Sequence, residues 1–113
     1  MYISGMNRSK QKGNRFEREC VEKAKKSGVT SERAYASNGK SLGEAETVDV
    51  MIVANSGRKR CQCKVRNRIA EYIKVPEGCD VTLIKEDRGE IYVVQKYDDW
   101  LRGMGLTRDM ILS

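Results

Sequence analysis

The sequence predicts an α+β domain of the α/β/α kind, with one central mixed sheet of about five strands between an N-terminal and a C-terminal helix. Three observations predict it. The 113 residues suit a single domain with one modest core, because a chain of this size buries roughly two-thirds of its unfolded surface. Apolar residues recur at helical spacing near the two ends of the chain. Between those ends lie five short extended-type segments, three of them rich in β-branched residues, separated by Gly, Asn and Pro. The resulting order, α-β-β-β-(short element)-β-β-α, closes around one sheet.

Taken in order, residues 1–9 are expected to form a loose basic arm on a single domain spanning 1–113. Residues 12–27 read as a helix, with Phe16, Cys20, Val21 and Ala24 on one face. Gly28 terminates it, and Lys23, Lys25 and Lys26 crowd the last turn, where cations suit the helix dipole. TSERAYA (30–36) is the first strand, and SNGKSLGEA (37–45) a Gly/Ser-rich loop. ETVDVMIVA and RKRCQCKVR flank the turn Asn55-Ser56-Gly57, so residues 46–66 form a hairpin. Residues 67–77 fit neither period, and Pro76 and Gly78 close them off. DVTLIKE and EIYVVQK form a second hairpin around Asp87-Arg88-Gly89. Asp98, Asp99, Trp100 and Leu101 open a short terminal helix with acids in its first turn.

Several chemistries are excluded. Without histidine there is no Ser-His-Asp or Cys-His catalysis and no imidazole metal site, so any metal must be held by oxygen or sulfur. Cys20, Cys61, Cys63 and Cys79 include no CxxC pair, which is the wrong spacing for zinc, and free, partly buried thiols are expected. No apolar run approaches the roughly 18 residues of a membrane span, so no membrane partner is expected. The first residues also lack the apolar core of a signal peptide, which makes an intracellular, cytoplasmic location the expectation.

Charge is unevenly placed. The chain carries 22 basic and 16 acidic residues, net +6. Residues 1–40 alone hold ten basic and four acidic residues, and residues 69–113 hold six and nine. A second basic cluster, Arg58, Lys59, Arg60, Lys64, Arg66 and Arg68, has no acid between its ends. Basic charge confined to two segments is the footprint expected of a nucleic-acid ligand, though a solvated surface can carry as much.

Three positions break their local pattern. Glu17 lies about 35° from the centre of the apolar helix stripe at 100° per residue, where a lone carboxylate is costly. By itself it is equally a stripe-edge residue that reaches solvent or pairs with an arginine. Asp49 interrupts a run apolar on both faces, Val48-Asp49-Val50-Met51-Ile52-Val53, and needs a cation, a metal or several donors unless it sits at a strand edge beside a loop. Gln62 and Lys64 share one face of their strand, opposite Cys61, Cys63 and Val65; an amphipathic edge strand would look the same.

Together the three form an ordered set: a helical glutamate, a strand aspartate, then (E/Q)-x-K on the next strand. Asp49 and Gln62 would lie side by side across the hairpin and offer oxygens to Mg²⁺, with the backbone carbonyl of Cys63 as a third ligand. Mn²⁺ is expected to substitute. Lys64 would position or activate the attacking water and offset charge on the phosphate, and Glu17 would act through a water or a second ion.

KGNRFERECVE (12–22), ERAYASNG, VDVMIV and CQCKVR resemble the PD-(D/E)XK nucleases, and are most similar to the archaeal and phage Holliday-junction resolvases. The resemblance runs over roughly residues 9–101. It implies a restriction-endonuclease-like fold, an active site of Glu17, Asp49, Gln62 and Lys64, and a loop serine, Ser37, near the scissile phosphate. It also implies a homodimer whose two sites nick opposed strands of branched double-stranded DNA. Gln62 stands where the signature usually has glutamate, which lowers the charge of the site by one. Glu46 could supply the missing carboxylate, although it should face away from Asp49. Lys10, Lys12, Arg15, Arg18, Lys40, Arg58, Lys59, Arg60, Arg66 and Arg68 are the expected phosphate contacts, binding by shape rather than sequence. Tyr35, Tyr72 and Trp100 could stack on bases but fit core or interface packing better. Competing readings are a general or restriction/repair-type endonuclease and a catalytically weak nucleic-acid-binding module.

Overall fold

The computed structural model describes residues 4–34, 47–54 and 56–105. Helix α1 spans Ser4–Lys26. It starts eight residues before the periodicity predicts and takes in most of the segment expected as a loose arm. Arg8, Ser9, Lys10 and Gln11 are all exposed, so this turn carries no apolar stripe and a periodicity reading cannot see it. The C-terminal half of the helix buries Cys20, Val21 and Ala24. Its end is a Schellman motif: Gly28 adopts φ +80°, Val29 N donates to Ala24 O at 2.8 Å, and Gly28 N donates to Lys25 O at 3.0 Å. The accompanying apolar contact is Val29 with Ala24, both in the core.

β1 (Thr30–Arg33), β2 (Val50–Ala54) and β3 (Gly57–Cys61) form an antiparallel sheet with β2 in the centre. Val50↔Cys61 fixes the register of the β2–β3 hairpin. Val50 and Ile52 join Val21, Ala24, Val29 and Leu101 in the buried cluster. A single turn of 3-10 helix, Glu71–Ile73, follows. β4 (Val81–Lys85) and β5 (Ile91–Gln95) then form a separate antiparallel hairpin. α2 (Tyr97–Gly105) sets Tyr97, Trp100, Leu101 and Met104 against the core at helical spacing. Tyr97 Oη donates to Cys20 O at 2.7 Å, tying α2 to α1. None of the described helices is long and apolar enough to cross a membrane.

The α+β class and the five strands are present, but the single mixed sheet is not. Among the described residues the strands divide three and two, and every ladder is antiparallel. Two features account for the break. β3 carries Arg58, Lys59 and Arg60, the kind of charged edge that discourages further pairing. Its ladder then stops at Cys61, because the next inward-facing amide, that of Cys63, bonds to a side chain instead.

Candidate active site

Asp49 sits one residue before β2, at the mouth of the three-stranded sheet. Its backbone is held on both sides: Ala34 N donates to Asp49 O, and Asp49 N donates to Cys61 O, each at 2.8 Å. The half-buried side chain faces the segment that follows β3, and its Oδ2 accepts a 2.8 Å hydrogen bond from Cys63 N. That bond replaces a ladder bond and fastens the Gln62-Cys63-Lys64 segment to the carboxylate. Among the described residues, Oδ1 accepts no hydrogen bond.

Gln62 and Lys64 flank Cys63 just past the end of β3 rather than within it. The strand's alternation persists: Gln62 and Lys64 are exposed, while Cys61, Cys63 and Val65 are half-buried. Lys64 makes no ion pair with Asp49 among the described residues, contrary to the expected attraction, and its ammonium is left in solvent.

Glu17 is 5% exposed, as its place in the α1 stripe predicts. One partner is Arg33 of β1, whose Nε donates to Glu17 Oε1 at 2.9 Å. The other arm of the guanidinium donates to Asn14 Oδ1 at 2.8 Å. Sequence reasoning allowed an arginine for Glu17 without finding which one. A buried acid with no cation on its own apolar face calls for one from a packed neighbour, and Arg33, in the quoted ERAYASNG segment, was the available signal.

The thiols gather behind this site. Cys20, Cys61 and Cys63 line one cavity of about 320 Å³ between α1, the sheet and α2. The neighbouring Cys20 thiol, together with burial, pushes the Cys63 thiol far above the ordinary range, while Cys63 lowers that of Cys20 against the effect of its burial. All four cysteines are free, with Cys20 buried and Cys79 exposed. Trp100 and Tyr97 border the same cavity, their rings 6.0 Å apart, so Trp100 packs rather than presenting itself to a base. Tyr72, by contrast, is 73% exposed.

The two basic segments meet beside Lys64. A polar cleft of about 420 Å³ is bordered by Lys12 and Gly13 of α1 and by Lys64, Arg66 and Asn67, and Lys12 Nζ donates to Asn67 Oδ1 at 3.0 Å. Lys10, Arg15, Arg18, Arg58, Arg60 and Arg68 are exposed, and Lys59 is half-buried. Ser37, Lys40, Glu46 and Tyr35 lie outside the described residues.

The site thus combines an aspartate at the head of β2, bonded to the backbone of the Gln62-Cys63-Lys64 segment, with a buried glutamate on α1. Residues 8–102 match the family model described as archaeal Holliday junction resolvase (Hjc), and the chain belongs to that family. It is therefore a nuclease of DNA recombination and repair that acts on branched DNA. No curated protein and no solved structure matches the chain.

Proposed function

We propose that the protein resolves four-way junctions as a Mg²⁺-dependent crossover-junction endonuclease, with Asp49, Gln62 and the Cys63 carbonyl holding the ion. The 2.8 Å bond from Cys63 N to Asp49 Oδ2 carries this reading, since it brings the aspartate and the Gln62-x-Lys64 segment together. The donors suit Mg²⁺: all are hard oxygens, and a small protein set is enough for an ion that keeps several waters. Among the described residues no three His, Cys, Asp or Glu side chains group to hold a metal, and the proposed set is one carboxylate, one amide and one carbonyl. When bound, Mg²⁺ would acidify the attacking water and offset charge on the phosphate.

The remaining work falls to the chain. With one oxygen fixed by Cys63 N, Asp49 presents the other at a set angle. Lys64, with no ion pair among the described residues, directs its ammonium at the attacking water and the developing phosphate charge. Glu17 and Arg33 hold α1 against β1, and Glu17 supports the site through a water or a second ion. Ser37 contacts the scissile phosphate. The protein acts as a homodimer in the cytoplasm, two copies supplying one cut for each of two opposed strands.

Cleavage of a synthetic four-way junction, with and without Mg²⁺, tests the reading against linear duplex of equal length. Cleavage only of the junction and only with the metal is expected. Equal cutting of linear duplex would make it a general nuclease. Gln62→Glu restores the usual charge and is expected to retain cleavage or shift the preference between Mg²⁺ and Mn²⁺; complete inactivation would reject Gln62 as a ligand.

The cleft beside Lys64 predicts phosphate binding. Lys12→Ala with Arg66→Ala should weaken junction binding and reduce the slope of log K against log salt by about two, one for each lost contact. An unchanged slope would place the DNA elsewhere.

A further inference from the structure

The β4–β5 hairpin carries apolar side chains on both faces, and the two faces are covered unequally. By strand alternation Thr82, Ile84 and Val94 share one face; all three are half-buried, and Thr82 Oγ1 donates to Lys74 O at 3.0 Å. Leu83, Ile91 and Val93 share the other face and are 67%, 66% and 63% exposed. Leu83 stands opposite Val93 in the register, so the three form one aliphatic patch. Among the described residues neither strand has a second neighbour, and a two-stranded hairpin without further packing is marginal in water. Where β5 meets α2 the same face runs into a hollow of about 300 Å³, bordered by Val93, Gln95, Tyr97 and Trp100.

We infer that two copies of the chain meet on this face, each laying Leu83 and Ile91 into the hollow between β5 and α2 of the other. The choice of a second copy rests on the paired-nick reading above: each chain carries one Asp49 site, and two opposed cuts need two. The shape suits a two-fold contact. The aliphatic projection and the hollow lie at successive points along one face, so an axis between them seats each projection in the partner's hollow. The hollow has the room, since an apolar cavity of about half that volume takes a benzene-sized group. The patch leaves on the order of 400 Å² of apolar surface in water, about half of what one partner gives to a standard interface. That is enough for a dry core, with Lys85 and Gln95 at the two ends of the face as a polar rim. Charge argues against DNA as the occupant. The hairpin turn, residues 86–90, holds three acids and one base, whereas the basic cleft lies beside Lys64.

Analytical ultracentrifugation of the full chain tests the contact. The wild-type protein should sediment as a dimer at micromolar concentration. Leu83→Lys with Val93→Lys places two ammonium groups per copy in the dry core and should raise the dimer Kd at least about 100-fold, giving monomers. Both side chains stand in water in the single chain, so the variant should keep its circular dichroism spectrum; Leu83→Ser with Val93→Thr serves should it unfold. Tyr92→Lys, on the opposite face of the same hairpin, should leave the dimer intact. A second readout uses a supercoiled plasmid that extrudes a cruciform. The dimer should linearise it by two cuts, and the monomeric variant should leave nicked circles, because the first nick releases the supercoiling that holds the junction open. A dimer that survives the lysines, or a monomer that still linearises the plasmid, would overturn the inference while the nuclease reading stands. A wild-type protein that is monomeric both free and on a four-way junction would instead reject the homodimer reading, and this contact with it, leaving the face to a different protein.

Discussion

Asp49→Asn should abolish junction cleavage in Mg²⁺ and leave junction affinity within a few-fold. The substitution separates the two tasks of the side chain. An asparagine Oδ1 can accept the bond from Cys63 N, so the Gln62-Cys63-Lys64 segment stays in place and the fold is kept. The second oxygen becomes an NH₂ group, a donor where a cation needs an acceptor, and the only carboxylate in the proposed ligand set loses its charge. A loss of more than about a hundredfold in cleavage is expected, at least ~2.7 kcal/mol of barrier. Binding should survive because the proposed phosphate contacts, Lys12 and Arg66 among them, do not depend on the charge of this carboxylate, and the bond to Cys63 N that borders their cleft is kept. Single-turnover cleavage beside an equilibrium binding assay checks both halves. Retained cleavage would move the metal site away from Asp49, and lost binding would show that the mutation had disturbed the fold.

This separation depends on a contact that is partly legible in the sequence. The interruption of an apolar strand by Asp49 and the alternation of Gln62 and Lys64 are local patterns, and a hairpin register follows from the turn between them. The amide that bonds the aspartate is not legible, because it depends on where the β3 ladder stops. The split of the sheet has the same origin. Strand propensity identifies β4 and β5, whose Leu83, Ile91 and Val93 alternate as a strand should, but nothing in a linear pattern says which edge they pair with. The C-terminal part of α1 was legible because it buries a stripe, and residues 8–11 were not, because all four are exposed. The cavity that Cys20 shares with Cys63 brings together residues 43 positions apart, on a helix and past a strand end, beyond the reach of any spacing rule.

Arg33 is the residue that sequence reading passed over at greatest cost, and its removal is the largest stability effect expected. Its guanidinium compensates a glutamate whose side chain is 7% exposed, while its own is 25% exposed. Breaking such a pair from one side takes away the guanidinium that meets both Glu17 Oε1 and Asn14 Oδ1 in low dielectric. Arg33→Met should therefore destabilise by about 3 kcal/mol or more, against well under 1 kcal/mol for an exposed pair such as Lys74–Glu71. In urea that is a fall in midpoint of about 2 M at a slope of ~1.5 kcal/mol/M. Adding Glu17→Gln removes the charge that Arg33 faces, so the double variant should lose less than the sum of the two single losses, whereas independent sites would simply add. Arg33→Lys keeps the charge but not the fork that reaches Asn14 as well as Glu17, and should fall between the two. An Arg33→Met midpoint within about 0.3 M of the parent would mean that Glu17 is compensated without Arg33, and that the link between α1 and β1 rests on apolar contacts alone.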